Sequence, residues 1–307
     1  MAGERYILAV DGGGTKTRAA LAPWDGARVV EAVGGPCNLY QDPVGGLAEI
    51  RALWQRLCAE AGLEPESAAA ATVVSAGLAG TSAPGSGELF RAELGDFKAR
   101  HLSSDGYVAL IGAVEGRPGA LLAIGTGVVG FRLHASGEHR QLGGWGFPIG
   151  DRGGGAWLGL RALGDWLERL DGYGADAESA LWPLLESRLG SAPSAILAWL
   201  KGARPAEFAS LAPLVVETAA AGDRHARSLI DEAAGHHVRL AQALAATAAE
   251  KLVLGGGLAE VFRAPIAAAL GPALEGSGRA GSPLDGAFLI ARGHSPAEFP
   301  EARRKEP

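Results

Sequence analysis

The amino-acid sequence predicts an α/β protein made of two related halves. The first half opens with an apolar strand that runs into a glycine-rich turn, "ILAVDGGGTKT" (7–17). The same order of strand, glycine turn, strand, polar turn and strand returns in "ALLAIGTGVVGFRLHASGEHRQLGG" (120–144). Amphipathic stretches with helical spacing fill the rest of the chain. Because repetition of a whole supersecondary unit indicates duplication, we predict two domains, at 1–115 and 116–307.

The composition excludes several classes of protein. Hydrophobic residues make up 48% of the chain and charged residues 20%, which is enough apolar material for a sizeable core. A net charge of -6 argues against a nucleic-acid partner, because phosphate backbones select basic surfaces. Two cysteines, Cys37 and Cys58, are too few for a disulfide framework or a cysteine metal cluster, and they suit a reducing cytoplasm. We see no signal-peptide pattern and no apolar run that could cross a membrane, so we expect a cytoplasmic protein without a membrane partner.

In the first half, the pattern predicts a three-stranded meander followed by alternating helices and strands. "YILAV" (6–10) is a short apolar run of the kind that forms a buried strand. "KTRAALAPW" (16–24) alternates as a second strand, and the Asp25-Gly26 turn signal leads into a third strand at 27–35. The remaining elements expected in this half are a helix at 44–61, a buried strand at 69–80, a helix at 87–94, a strand at 99–106 and a helix at 107–116.

After the second meander, the chain is expected to be mostly helical. "GAWLGLRALGDWLERL" (155–170) has an amphipathic pattern, and 206–220 and 223–249 predict two more helices. "KLVLGGGLAEVFRAPI" (251–266) predicts a strand, a triple-glycine turn and a helix. A last helix is expected at 283–293, followed by a solvated tail, "PEARRKEP".

Three glycine turns follow three apolar strands, and this arrangement indicates an anion site. Glycine allows backbone N–H groups to approach a ligand, and successive N–H groups that face one concavity bind anions such as phosphate. A single turn of this kind would be consistent with a simple tight turn, but two of the three occupy duplicated positions. The residues expected to hold phosphate, some through hydroxyl or ammonium groups, are Gly12, Gly13, Gly14, Thr15, Lys16, Thr17, Gly125, Thr126, Gly127, Gly255, Gly256 and Gly257.

Neither common phosphate-binding fingerprint fits these turns. "GTGVVG" (125–130) matches G-x-G-x-x-G, but the chain continues as a strand, whereas the dinucleotide fingerprint needs a helix there. No Walker A sequence occurs. Asp11, at the end of the first strand, would repel phosphate and suits Mg²⁺, directly or through water; alternatively it accepts hydrogen bonds within its own turn. Lys16 either neutralises phosphate charge or points into solvent.

Together these motifs resemble the phosphate-1, phosphate-2 and adenosine elements of the actin-like ATPase superfamily, which includes sugar kinases, Hsp70 and actin. Within it, "GGWGFPIGDRGGGAWLGLRAL" (143–163) resembles the hallmark stretch of the BadF/BadG/BcrA/BcrD family, to which N-acetylglucosamine kinase and bacterial glucosamine kinase belong. The resemblance covers nearly the whole chain. It implies two ribonuclease H-like domains with duplicated, mixed five-stranded sheets flanked by helices, an interdomain cleft that holds ATP and Mg²⁺, and a last helix that packs back on the N-terminal domain.

The resemblance also implies roles for individual residues. Asp105, in "SSDG" (103–106), matches the catalytic aspartate and would take the proton from the sugar 6-hydroxyl as it attacks the γ-phosphate. A turn or helix-capping role for Asp105 can coexist with this one. Asn38 matches a sugar-binding asparagine. The other residues expected to line the sugar site are Gly144, Trp145, Gly146 and Asp151.

Several positions leave alternatives open. Trp145 suits a core position as well as a sugar-facing wall. Val128 and Val129 depart from the polar residues that the family often places after Gly-Thr-Gly, which leaves the exact substrate undecided. Arg152 has no assigned role, and the adjacent pair His236–His237 is expected to be solvated or structural.

The favoured function is an ATP-dependent kinase for glucosamine or N-acetylglucosamine, and there are two alternatives. A sugar-sensing regulator of the same fold would usually add a DNA-binding segment, and this sequence starts directly with a strand. An ATP-driven activator of 2-hydroxyacyl-CoA dehydratases would need cluster-binding cysteines in its later half, and none follows Cys58. Zinc-containing bacterial sugar kinases also need a cysteine cluster, which this sequence lacks. A homodimer is usual in the family, and the choice between the two amino sugars cannot be made from the sequence.

Overall fold

The structure is a computed structural model, and it describes residues 5–26, 30–173, 178–244, 251–271 and 281–293. The chain divides into two compact units. Unit 1 combines Met1–Gly119 with Arg132–Arg140 and Ser277–Pro307, and unit 2 combines Ala120–Phe131 with Gln141–Gly276. Unit 1 is therefore assembled from three separate stretches of the chain.

All nine strands predicted from the sequence are found. Within the described residues the strands are β1 (Tyr6–Gly12), β2 (Thr17–Pro23), β3 (Val30–Gly34), β4 (Thr72–Leu78), β5 (Ala99–Ser104), β6 (Gly119–Ile124), β7 (Val128–Leu133), β8 (His139–Gly143) and β9 (Lys251–Gly255). The helices of the same residues are α1 (Pro43–Ala61), α2 (Pro65–Ala69), α3 (Ser86–Glu93), α4 (Asp105–Ala113), α5 (Gly155–Leu170), α6 (Leu181–Leu189), α7 (Pro193–Gly202), α8 (Pro205–Ala209), α9 (Ala212–Ala220), α10 (Arg224–Leu244), α11 (Ala259–Leu270) and α12 (Pro283–Ala291). None of these helices is both long enough and apolar enough to cross a membrane.

The five strands of unit 1 form one mixed sheet in the order β3-β2-β1-β4-β5. β1 pairs antiparallel with β2, and β2 pairs antiparallel with β3, which gives the predicted meander. β4 lies parallel to both β1 and β5, and the register aligns Asp11, Gly77 and Ser103 across these three strands. The carboxyl ends of β1, β4 and β5 therefore lie side by side, where open α/β sheets bind their ligands.

Side-chain alternation divides this sheet into two faces. Leu8 and Val10 of β1 point to the face covered by α1 and join its buried apolar side chains in one core cluster. Gly77 of β4 points to the opposite face, where a Cβ atom would overlap the Val108 side chain of α4. Asp11 shares this second face because it pairs with Gly77. The sheet thus directs Asp11 towards the side on which α4 packs.

Helices α4 and α12 pack closely because glycine keeps side chains out of their interface. A Cβ atom on Gly286 of α12 would overlap the carbonyl oxygen of Val108 and lie 2.7 Å from the backbone nitrogen of Gly112. A capping box fixes the start of α12: the Asp285 N–H donates to the Ser282 hydroxyl at 3.3 Å, and the Ser282 N–H donates to the Asp285 carboxylate at 2.7 Å. Helix α4, which begins at Asp105, is therefore held in place by α12, from a distant part of the chain.

The second sheet has four strands in the described residues, in the order β8-β7-β6-β9. Within the described residues, the predicted five-stranded sheet is found in unit 1, whereas the second sheet has one strand fewer. Residues 272–280, which follow α11, lie outside the described ones. The core beside this sheet joins strand residues such as Ile124 and Val128 to buried residues of the surrounding helices, among them Trp166 of α5 and Phe262 of α11.

The helices of the second half differ from the sequence-based expectation in two places. The stretch 206–220 forms two helices, α8 and α9, because Pro213 has no N–H group to continue a helix and is favoured in a first turn. Helices α6 and α7 were not predicted, although the leucines of α6 recur at helical spacing. α10 covers most of the predicted helix at 223–249, and residues 245–250 lie outside the described ones, as does the tail.

Replacing Gly286 by alanine is expected to destabilise the protein, because the new Cβ atom would meet backbone atoms of α4. Overpacking of this kind costs about 1–3 kcal/mol. Gly164→Ala is the matched control, because Gly164 lies in α5 with nothing within 4 Å of its Cβ position. Alanine there should raise the free energy of unfolding by about 0.5–1 kcal/mol. Urea unfolding measures both effects, and a Gly286→Ala protein as stable as wild type would contradict the close helix contact.

Candidate active site

The first glycine turn joins β1 to β2 at the carboxyl end of β1. Gly12 leaves no room for a side chain, since a Cβ atom there would lie 2.6 Å from Leu78 Cδ2. The turn is closed by the Gly13 N–H, which donates to the Lys16 carbonyl at 3.0 Å. The exposed tip of the turn consists of Gly14, Thr15 and Lys16. Bare backbone and two polar side chains are therefore accessible at one point.

Thr17, which was also predicted to bind phosphate, is directed away from this tip. Its side chain is fully buried, and its hydroxyl has no hydrogen-bond partner among the described residues. Strand alternation explains the burial, because Thr17 shares a face with Ala19 and Leu21, and these pack in the core cluster beside α1. Thr17 could therefore contact a ligand only through its backbone atoms.

Asn38 lies against the first glycine turn. It forms an isolated parallel bridge with Ala79, just beyond β4, and its Nδ2 atom lies 3.9 Å from the Cβ position of Gly14. Its Oδ1 atom accepts hydrogen bonds from the N–H groups of Tyr40 and Gln41 at 3.0 and 3.3 Å. Because the oxygen is engaged by its own loop, Nδ2 is the group that Asn38 can offer to a ligand.

Asp11 stands beside Arg18 of the neighbouring strand, with which it is paired in register. Arg18 also forms an ion pair with Glu31 at 3.6 Å. Partial burial raises the pKa of Asp11 above its usual value, and the charge of Asp105 raises it further, whereas Arg18 and Lys16 lower it. Two carboxylates therefore influence each other at the ends of the strands, an arrangement that a bound cation would stabilise.

Asp105 is the first residue of α4 and directly follows β5. Ser104 is the N-cap of this helix, since its Oγ atom accepts a hydrogen bond from the Tyr107 N–H at 3.2 Å. The Gly106 N–H donates to Asp105 Oδ1 at 2.8 Å. Desolvation by the surrounding protein raises the pKa of Asp105, partly offset by the Gly106 hydrogen bond, although its side chain stays accessible to solvent. Because Ser104 supplies the cap, the Asp105 carboxylate is available for other chemistry.

The second glycine turn joins β6 to β7 and is docked on the start of α5. The Gly125 N–H donates to the Gly127 carbonyl at 2.9 Å and closes the turn. The N–H groups of Gly155 and Ala156 donate to the carbonyls of Gly125 and Thr126 at 2.8 and 2.9 Å. Thr126 is exposed, and nothing lies within 4 Å of a Cβ position on Gly125. The main chain of α5 thus fixes the second glycine turn, and the tip of this turn stays open.

Asp151 is brought to the same turn. It has a φ angle of 58°, which is uncommon for a residue other than glycine. A Cβ atom on Gly127 would overlap the Asp151 carboxylate, so this carboxylate lies directly over the turn. Trp145 is 70% exposed, which removes the alternative of a core position. Its Cβ atom lies 2.8 Å from the Cβ position of Gly150.

The two valines that depart from the family pattern have different surroundings. Val128 is buried in the core beside α5. Val129 is half-buried and lies beside the predicted sugar loop, since a Cβ atom on Gly144 would be 2.9 Å from Val129 Cγ2 and 2.8 Å from Gln141 Nε2. Of the two, Val129 is therefore the one that a ligand in this loop could meet.

The third glycine turn, Gly255–Gly257, is closed against the end of β6. Gly256 has a φ angle of 91°, and a Cβ atom there would overlap the Ile124 carbonyl oxygen. The Leu258 N–H donates to the same carbonyl at 3.0 Å. Since Ile124 directly precedes Gly125, the second and third glycine turns are neighbours. Gly257 is exposed, with nothing within 4 Å of its Cβ position.

The predicted site residues fall into two groups, one in each unit. In unit 1 the first glycine turn, Asp11, Asn38 and Asp105 meet at the strand ends. In unit 2 the second and third turns meet with the loop that carries Asp151. The residues that support these groups, such as Arg18 and Ser104, were not predicted from the sequence. Ser104 carried a usable signal, because serine before a helix is a common N-cap, whereas Arg18 is recognisable only from the strand register.

A family model matches most of the chain. Residues 8–275 match the model of the BadF/BadG/BcrA/BcrD ATPase family. The chain belongs to this family. The matched range runs from β1 through α11 and includes all three glycine turns. The resemblance inferred from the sequence motifs is therefore confirmed.

Three proteins indicate what this BadF/BadG/BcrA/BcrD family member is similar to. Glucosamine kinase GspK of Vibrio cholerae is 30% identical over 255 residues, which cover 83% of this chain and 85% of the relative. An N-acetylmuramic acid/N-acetylglucosamine kinase of Clostridium acetobutylicum is 28% identical over 237 residues, covering 75% and 76%. The crystal structure of a proposed N-acetylglucosamine kinase from Chromobacterium violaceum has a TM-score of 0.83 and 34% identity, covering 94% and 99%. These similarities confirm the actin-like fold class.

Asp105→Asn is expected to raise the melting temperature near neutral pH. Desolvation raises the pKa of the Asp105 carboxyl, so the charged form is less stable in the folded protein than in the unfolded chain. By proton linkage, a raised pKa in the folded state removes stability as pH rises above the unfolded-state value, and the amide escapes this loss. The gain should therefore shrink as pH falls towards the ordinary value of 3.8, where the wild-type carboxyl is protonated.

Asp96→Asn is a control for which the opposite change in melting temperature is expected. The Asp96 carboxylate accepts hydrogen bonds from Arg51 Nη1 and Nη2 at 2.7 and 2.5 Å, and this contact holds the pKa of Asp96 below its usual value. Removal of the charge should lower the melting temperature near neutral pH, with a smaller loss once wild-type Asp96 is itself protonated in acid. Thermal unfolding followed by circular dichroism measures both variants. An Asp105→Asn protein that melts below wild type at neutral pH would contradict the desolvation of Asp105.

Proposed function

We propose that the chain is an ATP-dependent amino-sugar kinase that phosphorylates the 6-hydroxyl of glucosamine or N-acetylglucosamine. The observation that carries the proposal is the placement of two carboxylates, Asp11 and Asp105, at the ends of β1 and β5 beside an exposed glycine turn. The relatives that cover most of the chain are named as glucosamine or N-acetylglucosamine kinases, which supports an amino sugar as the acceptor.

The three glycine turns would hold the nucleotide. The backbone of Gly13 and Gly14, with Thr15 and Lys16, would bind phosphate oxygens in unit 1, and Gly125–Gly127 would do so in unit 2. The open space over Gly257, at the end of β9, suits the adenosine part. Bound MgATP would supply the phosphoryl group and a cation to neutralise its charge. Asp11 is the residue that would face this cation. Burial raises the pKa of its carboxyl, and a nearby cation would stabilise the ionised form.

Asp105 would act as the general base. Its carboxylate would accept the proton of the sugar 6-hydroxyl, and the sugar oxygen would attack the terminal phosphorus of ATP. The bond between this phosphorus and the β–γ bridging oxygen would break, and ADP would leave. Desolvation raises the pKa of Asp105 above its ordinary value, which makes the carboxylate a better proton acceptor. Its position at the start of α4 is fixed by the Ser104 cap and by the packing of α12.

Asn38, Trp145 and Asp151 would hold the sugar. Asn38 would act as a donor through Nδ2, because its Oδ1 atom is engaged by the N–H groups of its own loop. Asp151 would accept hydrogen bonds from sugar hydroxyls, and the exposed indole of Trp145 offers a flat apolar surface to a sugar face. Val129 would present methyl groups where relatives often carry a polar side chain, which favours a substituent that makes no hydrogen bond at that point.

A panel of acceptors tests the proposed function. ADP release from MgATP is measured with glucosamine, N-acetylglucosamine, N-acetylmannosamine, glucose and no sugar. Strong stimulation by one of the two glucosamine derivatives is the expected result, and mass spectrometry should locate the phosphate on the 6-hydroxyl. A rate of ATP hydrolysis that is the same with and without each sugar would indicate an ATPase activator. Sugar binding without any ADP release would indicate a sensor.

Asp105→Asn is expected to lower kcat about 10²–10⁴-fold, because the amide cannot accept the proton. Sugar binding, measured by isothermal titration calorimetry, should change little, since the amide has nearly the same shape. Asp96→Asn should keep the wild-type kcat, because Asp96 precedes β5 and so lies at the opposite end of this strand from Asp105. A kcat of Asp105→Asn close to wild type would remove Asp105 as the base.

A further inference from the structure

His237 of α10 is the only fully buried histidine among the described residues. Its neighbour His236 is partly exposed, contacts Arg239 at 2.6 Å and packs against the Trp157 ring. The two histidines, which the sequence analysis treated as a pair, therefore have different surroundings. A polar ring without solvent contact needs a partner inside the protein.

The partner of His237 is the carbonyl oxygen of Gly153, 3.1 Å from Nε2. A carbonyl can only accept, so Nε2 carries the hydrogen and donates it. Burial lowers the pKa of His237 to about 4, which keeps the ring neutral near neutral pH, and the hydrogen bond to the Gly153 carbonyl sets the tautomer. The ring is also packed edge-on against Phe262 of α11, with centroids 4.3 Å apart, so its orientation is fixed on two sides.

Gly153 belongs to the turn that carries Asp151. It has a φ angle of 86°, and a Cβ atom there would lie 2.7 Å from His237 Cε1, so the turn approaches the ring as closely as glycine permits. The Gly154 N–H donates to the Asp151 carbonyl at 3.0 Å. The Gly155 N–H donates to the Gly125 carbonyl at 2.8 Å. A chain of direct contacts therefore runs from His237 to the second glycine turn.

We propose that His237 is a positioning residue: by donating to the Gly153 carbonyl, it fixes the Asp151–Gly155 segment, and with it the spacing between the Asp151 carboxylate and the Gly125–Gly127 turn. The proposal rests on the proposed function, in which the carboxylate holds the sugar and the turn holds phosphate. A residue that fixes both would affect binding of both substrates together. A residue that only fills the core would affect stability and leave the kinetics of the folded enzyme unchanged.

Three variants separate these roles. His237→Leu keeps an apolar side chain of similar size and removes the donor. His237→Gln retains an N–H donor that can reach the Gly153 carbonyl. His236→Leu is the matched control, because it removes the neighbouring ring on the partly exposed side of the same helix.

The kinetic readout is kcat and KM for MgATP and for the sugar, measured well below the melting temperature of every variant. Small displacements of positioning groups can cost about 10²-fold, so we expect His237→Leu to lose about 10- to 100-fold in kcat/KM, with KM raised for both substrates. His237→Gln should recover most of this loss, and His236→Leu should match wild type. A His237→Leu enzyme with a lower melting temperature and wild-type kinetics would overturn the proposal, as would a glutamine variant as impaired as the leucine variant.

ADP binding by calorimetry provides a readout that does not depend on sugar turnover. His237→Leu should bind ADP more weakly than wild type and His236→Leu should not. If wild type phosphorylates none of the sugars, the proposed function fails while this comparison still decides the role of His237. If His237→Leu does not fold, Gly153→Ala displaces the same contact from the loop side and should show the same weakening, and unchanged ADP affinity in Gly153→Ala would overturn the proposal.

Discussion

Close packing around glycine at the ends of the strands is the constraint on which the rest of the structure depends. A Cβ atom on Gly12 would meet the Leu78 side chain at the end of β4, and a Cβ atom on Gly256 would meet the last carbonyl of β6. Neither position admits a Cβ atom, so each strand can end in a turn whose N–H groups are not shielded by side chains. Asn38 lies against the first turn, and the third turn lies beside the second.

The carboxylates at these strand ends work against folding. Desolvation disfavours the charged forms of Asp11 and Asp105, and Arg18 and Lys16 offset this in part for Asp11. Asp96, also in unit 1, is instead paired directly with Arg51. Two partly desolvated acids beside exposed backbone suit the joint binding of a cation and an anion, because the cation would neutralise the carboxylates and the N–H groups would bind the anion.

The order of strands and the three glycine turns could be predicted from the sequence, because both depend on local patterns of apolar residues and glycine. The features that the sequence did not show depend on distant partners. The burial of Thr17 follows from the register between β1, β2 and β3, and the hydrogen bond of His237 is made to Gly153, far away in the chain. The division of 206–220 into two helices was recognisable from Pro213. Helices α6 and α7 carry weaker local signals, and their packing is non-local or mutual: α6 packs against α5 and α9, and α7 packs against α6.

The docking of α12 on α4 has a consequence for how the protein is made. A ribosome delivers β1 to α4 first and then all of unit 2, so α12 appears only after the strands and helices that separate it from its partner. Until then Gly112 and its neighbours on α4 present a bare helix surface. Unit 2 is contiguous apart from the β7–β8 hairpin, so it can fold as soon as it is synthesised, while the unit that carries Asp105 waits for the last helix of the described chain.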